Sequence, residues 1–240
     1  MSVTATPSRI PPSVTDRAPI RPPDPAIPDV VPMVYATIKG HEATRRLVHL
    51  AFRDAHTALD LTYAHGGFWR DPLPPGLALT TNNPDPASAA ALHLNFARTG
   101  LRDGAYDLVV YDPPHVADGG TNGIMARRFG TVRGTAALRE LIEAGAREAW
   151  RVASVGILVK VTDHNHQGEL LLQSDWVKGV VPVPPYTMLH SIRRGHLRDG
   201  KHRVVRVPRS NGAVWLAFRK DDHHHRNFDQ LYERQARKAG

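Results

Sequence analysis

The sequence predicts an α/β fold in which a mainly parallel sheet is covered by helices on both faces. Short, nearly continuous apolar runs, which are typical of strands buried on both faces, recur along the chain. Segments with helical periodicity stand between several of these runs, and this alternation is typical of parallel sheets. A chain of 240 residues that is 41% hydrophobic can also bury a core of ordinary size.

Seven runs dominated by aliphatic, β-branched and aromatic residues are the candidate strands of this sheet. They cover residues 57–61, 77–81, 92–96, 107–111, 155–161, 187–192 and 213–218. A basic, glycine-containing stretch without helical periodicity joins the last two runs. This connection predicts an antiparallel pair at one edge of the sheet.

Two longer segments, residues 42–52 and 135–152, repeat apolar side chains at the three- to four-residue spacing of an amphipathic helix. In the second segment the apolar face consists of Leu138, Leu141, Ile142, Ala146 and Ala149. Residues 168–180 are assigned as a further helix. These helices are the candidates for covering the two faces of the sheet.

The composition divides the chain into three parts. Residues 1–32 contain nine prolines and few apolar residues, so they cannot bury enough surface to offset the entropy of ordering. We expect them to be a disordered arm. Residues 33–220 are predicted to be one folded domain, and residues 221–240 a basic, histidine-containing tail or helix.

The charge of the chain is concentrated near its C-terminus. Residues 189–240 contain 13 Lys or Arg against 5 Asp or Glu, which equals the net charge of +8 of the whole chain. Such a cluster favours a polyanionic partner, although a solvated face explains it about as well. The oligomeric state cannot be predicted from these observations.

The absence of cysteine excludes disulfides, thiolate zinc sites and cysteine nucleophiles. No run of about 18 apolar residues and no basic-then-apolar N-terminal segment occurs. We therefore predict a cytoplasmic protein that does not contact a membrane.

The most specific local pattern is DLVVYDPPH, from Asp107 to His115. A buried strand ends here in a carboxylate, two prolines stiffen the backbone, and a flat side chain follows. A carboxylate and a rigid carbonyl that each accept one N–H can hold a delocalised amine with its lone pair aimed at an electrophile. A proline turn that only closes the strand is the alternative. We call residues 112–115 the DPPH turn.

The DPPH turn resembles the signature of S-adenosylmethionine-dependent methyltransferases that act on exocyclic amino groups of nucleic-acid bases, namely Asp or Asn, Pro, Pro and an aromatic residue. The resemblance implies a Rossmann-like, seven-stranded class I methyltransferase sheet with an antiparallel last strand. It implies that Asp112 and the carbonyl of Pro113, a residue followed by Pro114, hold the target amino group. His115 takes the stacking position, where the family usually has Tyr, Trp or Phe.

A second match, LDLTYAHGGF at residues 59–68, looks like the cofactor loop of the same family. Glycines let the backbone approach a ligand closely, although Ala64 stands at the first glycine position. The resemblance implies that S-adenosylmethionine contacts Asp60, Tyr63, His65, Gly66 and Gly67. A turn without a ligand is the alternative.

Such enzymes usually carry an acidic residue after the second strand, which accepts hydrogen bonds from the ribose. This sequence has TNNPD at residues 81–85, so Asp85 and Asn83 are the candidates, with an Asx-Pro turn as the alternative. By the same resemblance, Asn95 lies near the adenine ring.

Four charged residues are candidates for substrate contacts. Lys160 and Asp163 lie at the end of an apolar strand and either position the substrate, contact a phosphate or form a surface ion pair. Arg127 and Arg128 follow a glycine-containing loop that would clamp phosphates as a flap, or is an ordinary surface loop. We assign no metal, because residues 223–225, three histidines, lack a predicted rigid framework.

The sequence therefore predicts methyl transfer from S-adenosylmethionine to a base amino group, with adenine in DNA preferred over RNA. A base amino-methyltransferase acting on RNA is one alternative. A nucleic-acid-binding protein that keeps the fold without catalysis is another, and Ala64 and Asn83 favour it.

Overall fold

The computed structural model describes residues 33–36, 38–117, 132–192 and 212–221. Several predictions therefore lie outside the described residues. These are the arm at residues 1–32, Arg127 and Arg128, most of the basic C-terminal cluster, and the three histidines at residues 223–225.

The described chain contains nine strands and three helices. The strands are β1 Met33–Ala36, β2 Thr57–Asp60, β3 Ala78–Thr81, β4 Tyr106–Tyr111, β5 Ala153–Val161, β6 His164–His166, β7 Glu169–Leu171, β8 Thr187–Ile192 and β9 Gly212–Arg219. The helices are α1 Gly40–Ala51, α2 Gly134–Val152 and α3 Gln173–Lys178. Each helix in these ranges is too short or too polar to traverse a lipid bilayer.

The predicted α/β class with a mostly parallel sheet is confirmed. The strands of the main sheet lie in the order β1-β8-β9-β5-β4-β2-β3, while β6 and β7 form a separate hairpin. Within the described sheet, β9 runs antiparallel to both of its neighbours, and the other pairs are parallel. The predicted antiparallel pair β8–β9 is found, but it does not lie at the edge, because β1 pairs with β8.

The predicted strand at residues 92–96 is wrong. Only a single bridge forms, between Asn82 and Leu92. Two residues further on, the amide group of Asn82 donates to the carbonyl of Leu94 and accepts from its N–H, at 3.1 and 2.8 Å. The Asn82 side chain therefore takes the place of a backbone partner for Leu94, and residues 92–96 do not form a strand.

The predicted helices at residues 42–52 and 135–152 correspond to α1 and α2, but the helix at residues 168–180 is only partly right. Residues 169–171 of this segment form β7, and the helix begins at Gln173. Gln167 and Gly168 both have positive φ, 51° and 91°, as a tight hairpin turn requires. Asp163 then accepts a hydrogen bond from the backbone N–H of Ser174 at 2.8 Å, so the helix starts only after the hairpin.

The core lies on both faces of the sheet, as predicted. Successive side chains of a strand point to opposite faces, and in β4 the side chain of Val109 packs in the cluster that includes α2, while Leu108 and Val110 pack with α1. The approach of α2 depends on Gly145, because a Cβ at this position would overlap the Tyr111 hydroxyl. The last residue of β4 is thereby fixed next to the DPPH turn.

Candidate active site

The strand order reverses between β2 and β4. From β2 the chain crosses to β3 on one side, and it later returns to β4 on the other side. In open α/β sheets, ligands bind outside the carboxyl ends of the strands at such a reversal. The segments that follow β2 and β4 are therefore the candidates for the site, and both predicted motifs lie in them.

Hydrogen bonds join the ends of these two strands. The backbone N–H of Asp112 donates to the Thr62 hydroxyl at 2.7 Å, and that of Leu61 donates to the Val110 carbonyl at 2.8 Å. The two motifs therefore lie side by side at the ends of the neighbouring strands β2 and β4.

The carboxylate of Asp112 lies between two nitrogen groups. Lys160 Nζ is 2.9 Å from Oδ1 and 3.0 Å from Oδ2, and His115 Nε2 is 2.8 Å from Oδ1. The three side chains are mostly buried, with exposed fractions of 26% for Asp112, 21% for His115 and 13% for Lys160. We call these three residues the Asp112 cluster.

The Asp112 carboxyl is held in its ionised form. Desolvation by burial raises its pKa, but the charges and hydrogen bonds of His115 and Lys160 outweigh this effect, and the net pKa lies below the ordinary value of aspartate. The group therefore accepts hydrogen bonds as an anion at neutral pH.

Two aromatic rings that were not predicted as site residues adjoin the cluster. Lys160 Nζ lies 5.2 Å from the ring centroid of Phe68 and 6.0 Å from that of Trp215. The two rings pack against each other, with centroids 5.0 Å apart. The ammonium group therefore has a carboxylate and two π-faces as neighbours, which is a favourable environment for a cation.

The backbone and ring of His115 are positioned from the β5 side. Gln173 Nε2 donates to the carbonyl of His115 at 2.6 Å, and Gln173 Oε1 accepts from the N–H of Thr162 at 3.2 Å. His115 Nδ1 is buried and has no hydrogen-bond partner in the part of the chain that the structure describes. Of the two ring nitrogens, Nε2 thus faces Asp112.

Asp60 lies at the end of β2 and is buried, with 4% of its surface exposed. It accepts hydrogen bonds from the indole Nε1 of Trp69 at 2.7 Å and from the backbone N–H of Thr62 at 3.2 Å. Desolvation by burial raises its pKa, the two hydrogen bonds lower it, and the charge of Asp112 raises it further. The net pKa of Asp60 is about 7. Asp60 therefore holds the start of the following turn from within.

The remaining predicted cofactor residues of this loop form its exposed part. Gly66 has a φ of 67°, which explains a glycine at this position, and its carbonyl accepts the N–H of Trp69 at 3.0 Å. Tyr63 donates through its backbone N–H to Asn82 at 2.9 Å. His65 and Gly67 are exposed, and a Cβ on Gly67 would meet no described atom within 4 Å.

The candidates for the ribose and the adenine are hydrogen-bonded to their own backbone surroundings. Asn83 donates to the Tyr63 carbonyl at 2.6 Å and accepts from the N–H of Asp85 at 2.9 Å. The side chain of Asp85 accepts from Ala87, and that of Asn95 from Ala97, both at 2.9 Å. Asn83 thus lies beside the glycine-containing turn, with its amide already committed to the backbone.

The predicted substrate residues Lys160 and Asp163 have separate surroundings. They do not pair with each other, because Lys160 bonds to Asp112, while Asp163 bonds to the N–H and hydroxyl of Ser174 at 2.8 and 2.7 Å. Asp163 therefore caps the start of α3. Lys160 belongs to the cluster, and sequence reasoning found the residue but not its partner.

The site combines an anionic acceptor, a stiff proline backbone, an imidazole and an aromatic wall at the reversal of the strand order. Such an arrangement can hold an N–H donor or a cation. No protein-family model matches the sequence, and no curated protein matches it significantly. The functional argument therefore depends on the chemistry of the residues themselves.

Proposed function

We propose that this protein transfers a methyl group from S-adenosylmethionine to an exocyclic amino group of a nucleic-acid base, with adenine in DNA as the preferred target. The observation that carries the proposal is the position of the DPPH turn. It follows β4 at the reversal of the strand order and is hydrogen-bonded to Thr62 after β2. The antiparallel β9 between β5 and β8 is compatible with the sheet that the resemblance implies.

The DPPH turn provides two hydrogen-bond acceptors for an exocyclic amine, which is a poor nucleophile. The Asp112 carboxylate is ionised and accepts one N–H of the target amino group. In this proposal the carbonyl of Pro113 accepts the second N–H. Two fixed acceptors orient the lone pair of the nitrogen for in-line attack, and the ring of His115 stacks on the base.

The residues around the turn after β2 fit the proposed cofactor. His65 and Gly67 are exposed residues, and the open space beside Gly67 leaves room for a ligand. When bound, S-adenosylmethionine supplies a methyl group on a sulfonium. The Asn83 amide donates to the Tyr63 carbonyl beside this turn, while Asp60 supports the turn from within. Asp85 and Asn95 remain the candidates for the ribose and the adenine.

The charge of the chain and the access to a base amino group support nucleic acid as the partner in this proposal. The excess of 13 Lys or Arg over 5 Asp or Glu in residues 189–240 favours a polyanion. A base amino group is paired inside a duplex, so the substrate is a flipped base or a single strand. RNA satisfies the same chemistry and is the alternative substrate.

A second candidate, a nucleic-acid-binding protein without catalysis, is favoured by two observations. Both oxygens of Asp112 already have Lys160 as a partner, and the amide of Asn83 is committed to the backbone. Calorimetry with S-adenosylmethionine separates the two candidates. Micromolar binding supports the enzyme, whereas no saturation up to about 1 mM by folded protein supports the binding protein.

The test of the proposal is direct. The protein is incubated with methyl-labelled S-adenosylmethionine and with separate pools of duplex DNA, single-stranded DNA and transfer RNA, and the methylated nucleoside is identified by mass spectrometry. We expect N6-methyladenine in a DNA pool. Label only in RNA supports the alternative substrate, and label in no pool contradicts the enzymatic proposal.

A further inference from the structure

We propose that Lys160 is a gating residue whose ammonium group occupies, in the free protein, the place beside Asp112 that the reacting groups must enter. This inference deepens the proposed function and rests on it for the identity of the entering groups. It differs from the sequence-based prediction, in which Lys160 contacts a phosphate or positions the substrate.

The ammonium group of Lys160 contacts both oxygens of the Asp112 carboxylate. Its distances to the two oxygens of Asp112, 2.9 and 3.0 Å, are those of a donor that uses the carboxylate fully. A target amine that donates to Asp112 needs the same lone pairs. The nitrogen of Lys160 and the nitrogen of a base therefore compete for one position.

The aromatic surroundings of the Lys160 ammonium group also favour a cation at this position. The ammonium group lies near the faces of Phe68 and Trp215, and only 13% of the Lys160 side chain is exposed. Carboxylate and ring faces together form a site that binds cations generally. The position is thus a cation site that the chain fills with its own side chain.

A group that displaces Lys160 from Asp112 has to compete with an ion pair. Hydrogen bonds between two ions are stronger than those between an ion and a neutral amine, so an uncharged base displaces the ammonium poorly by itself. A sulfonium carries the positive charge that the site binds. With such a charge bound, Lys160 would leave Asp112 before the base enters.

The cation site can be tested without any assumption about methyl transfer. In Lys160→Ala, n-propylammonium supplies the three carbons and the nitrogen that the substitution removes. We expect it to raise the Tm of this variant saturably, by about 2–4 °C over the effect of sodium at equal ionic strength. The Tm of the parent should not respond, and uncharged n-propanol should not replace the amine.

Two variants serve as controls for this test. Lys178→Ala removes a lysine from an exposed ion pair with Asp175 and should behave like the parent. Lys160→Ala combined with Asp112→Asn should lose the response. An equal response of parent and Lys160→Ala, or an equal effect of n-propanol, would overturn the cation site. If Lys160→Ala does not fold, Lys160→Met leaves only the nitrogen position open, and ammonium itself is the probe.

The gating role has its own readout once methyl transfer is measured. Lys160→Met removes the competitor, so we expect KM for the nucleic acid to fall about 3–10-fold with a smaller change in kcat, while Lys178→Ala, which changes an exposed ion pair with Asp175, keeps the parent KM. A rise in KM would indicate a phosphate contact and overturn gating. Absence of methyl transfer in the parent contradicts the proposed function but leaves the n-propylammonium result as a test of the cation site.

Discussion

Asp60 and Asp112 occupy corresponding places, at and just after the ends of the neighbouring parallel strands β2 and β4. Their partners differ in charge. The carboxyl of Asp60 is bonded to the neutral indole of Trp69 and to a backbone N–H, whereas that of Asp112 faces Lys160 and His115. The pKa of Asp60 is raised to about 7, and that of Asp112 is lowered.

This difference shows which of the two carboxylates is suited to bind a ligand. Burial raises the pKa of both groups, and only cationic neighbours outweigh it, because neutral donors stabilise the anion less than a nearby charge does. Asp112 is therefore the permanently anionic acceptor. Asp60 titrates near neutral pH and acts mainly on the structure of the turn that follows β2.

The strongest way to break the comparison is to remove the acceptor at the end of β4. In Asp112→Ala we expect kcat for methyl transfer to fall about 10³-fold, because the target amine loses a fixed charged partner. Affinity for S-adenosylmethionine, measured by calorimetry, should change much less. Asp103→Ala removes an exposed carboxylate that pairs with Arg151 and should keep the parent rate. Parent activity in Asp112→Ala would exclude the assigned role.

Much of the fold was predictable because buried strands and amphipathic helices have periodic signatures. The end of β4 at Tyr111 and both long helices followed from these signatures. The missing strand at residues 92–96 has the alternating burial of a strand, but the Asn82 amide takes the backbone partners of Leu94. Such a substitution of side chain for backbone leaves no periodic signal in the sequence.

The site was predictable only where its residues are adjacent in the chain. The DPPH turn carries its own pattern, so Asp112 and His115 were found together. Lys160 is 48 residues away from Asp112, and their contact depends on the register of β4 with β5. The rings of Phe68 and Trp215 pack against each other although the two residues are far apart in the chain. In the sequence, Trp215 belongs to a predicted strand and Phe68 ends the loop motif, so neither residue is recognisable as a neighbour of Asp112.

The raised pKa of Asp60 gives the second prediction, which concerns stability. Between about pH 4 and pH 7 the folded protein keeps a proton on Asp60 that the unfolded chain releases. The free energy of unfolding therefore falls as the pH rises through this window and levels off above it. Relative to Asp60→Asn, the parent should lose about 2–3 kcal/mol between pH 5 and pH 8.

Urea unfolding of the parent and Asp60→Asn across this pH range measures the difference. Asn also loses one of the two accepted hydrogen bonds, which offsets its whole curve by about 1 kcal/mol without changing its slope. Parallel curves for Asp60 and Asp60→Asn would show that Asp60 is ionised throughout the range.

The smallest expected effect tests whether the two carboxyl groups sense each other. The negative charge of Asp112 raises the pKa of Asp60, and this contribution is smaller than those of the hydrogen bonds from Trp69 and Thr62. In Asp112→Asn we therefore expect the pKa of Asp60, followed by carboxyl ¹³C NMR, to fall, also because Lys160 and His115 lose their anionic partner. Trp69→Phe should shift the same pKa upward and by more, since the indole donor stabilises the anion. No shift in Asp112→Asn would mean that the two strand ends are electrostatically independent, and an upward shift would mean that loss of the ion pair rearranges the turn.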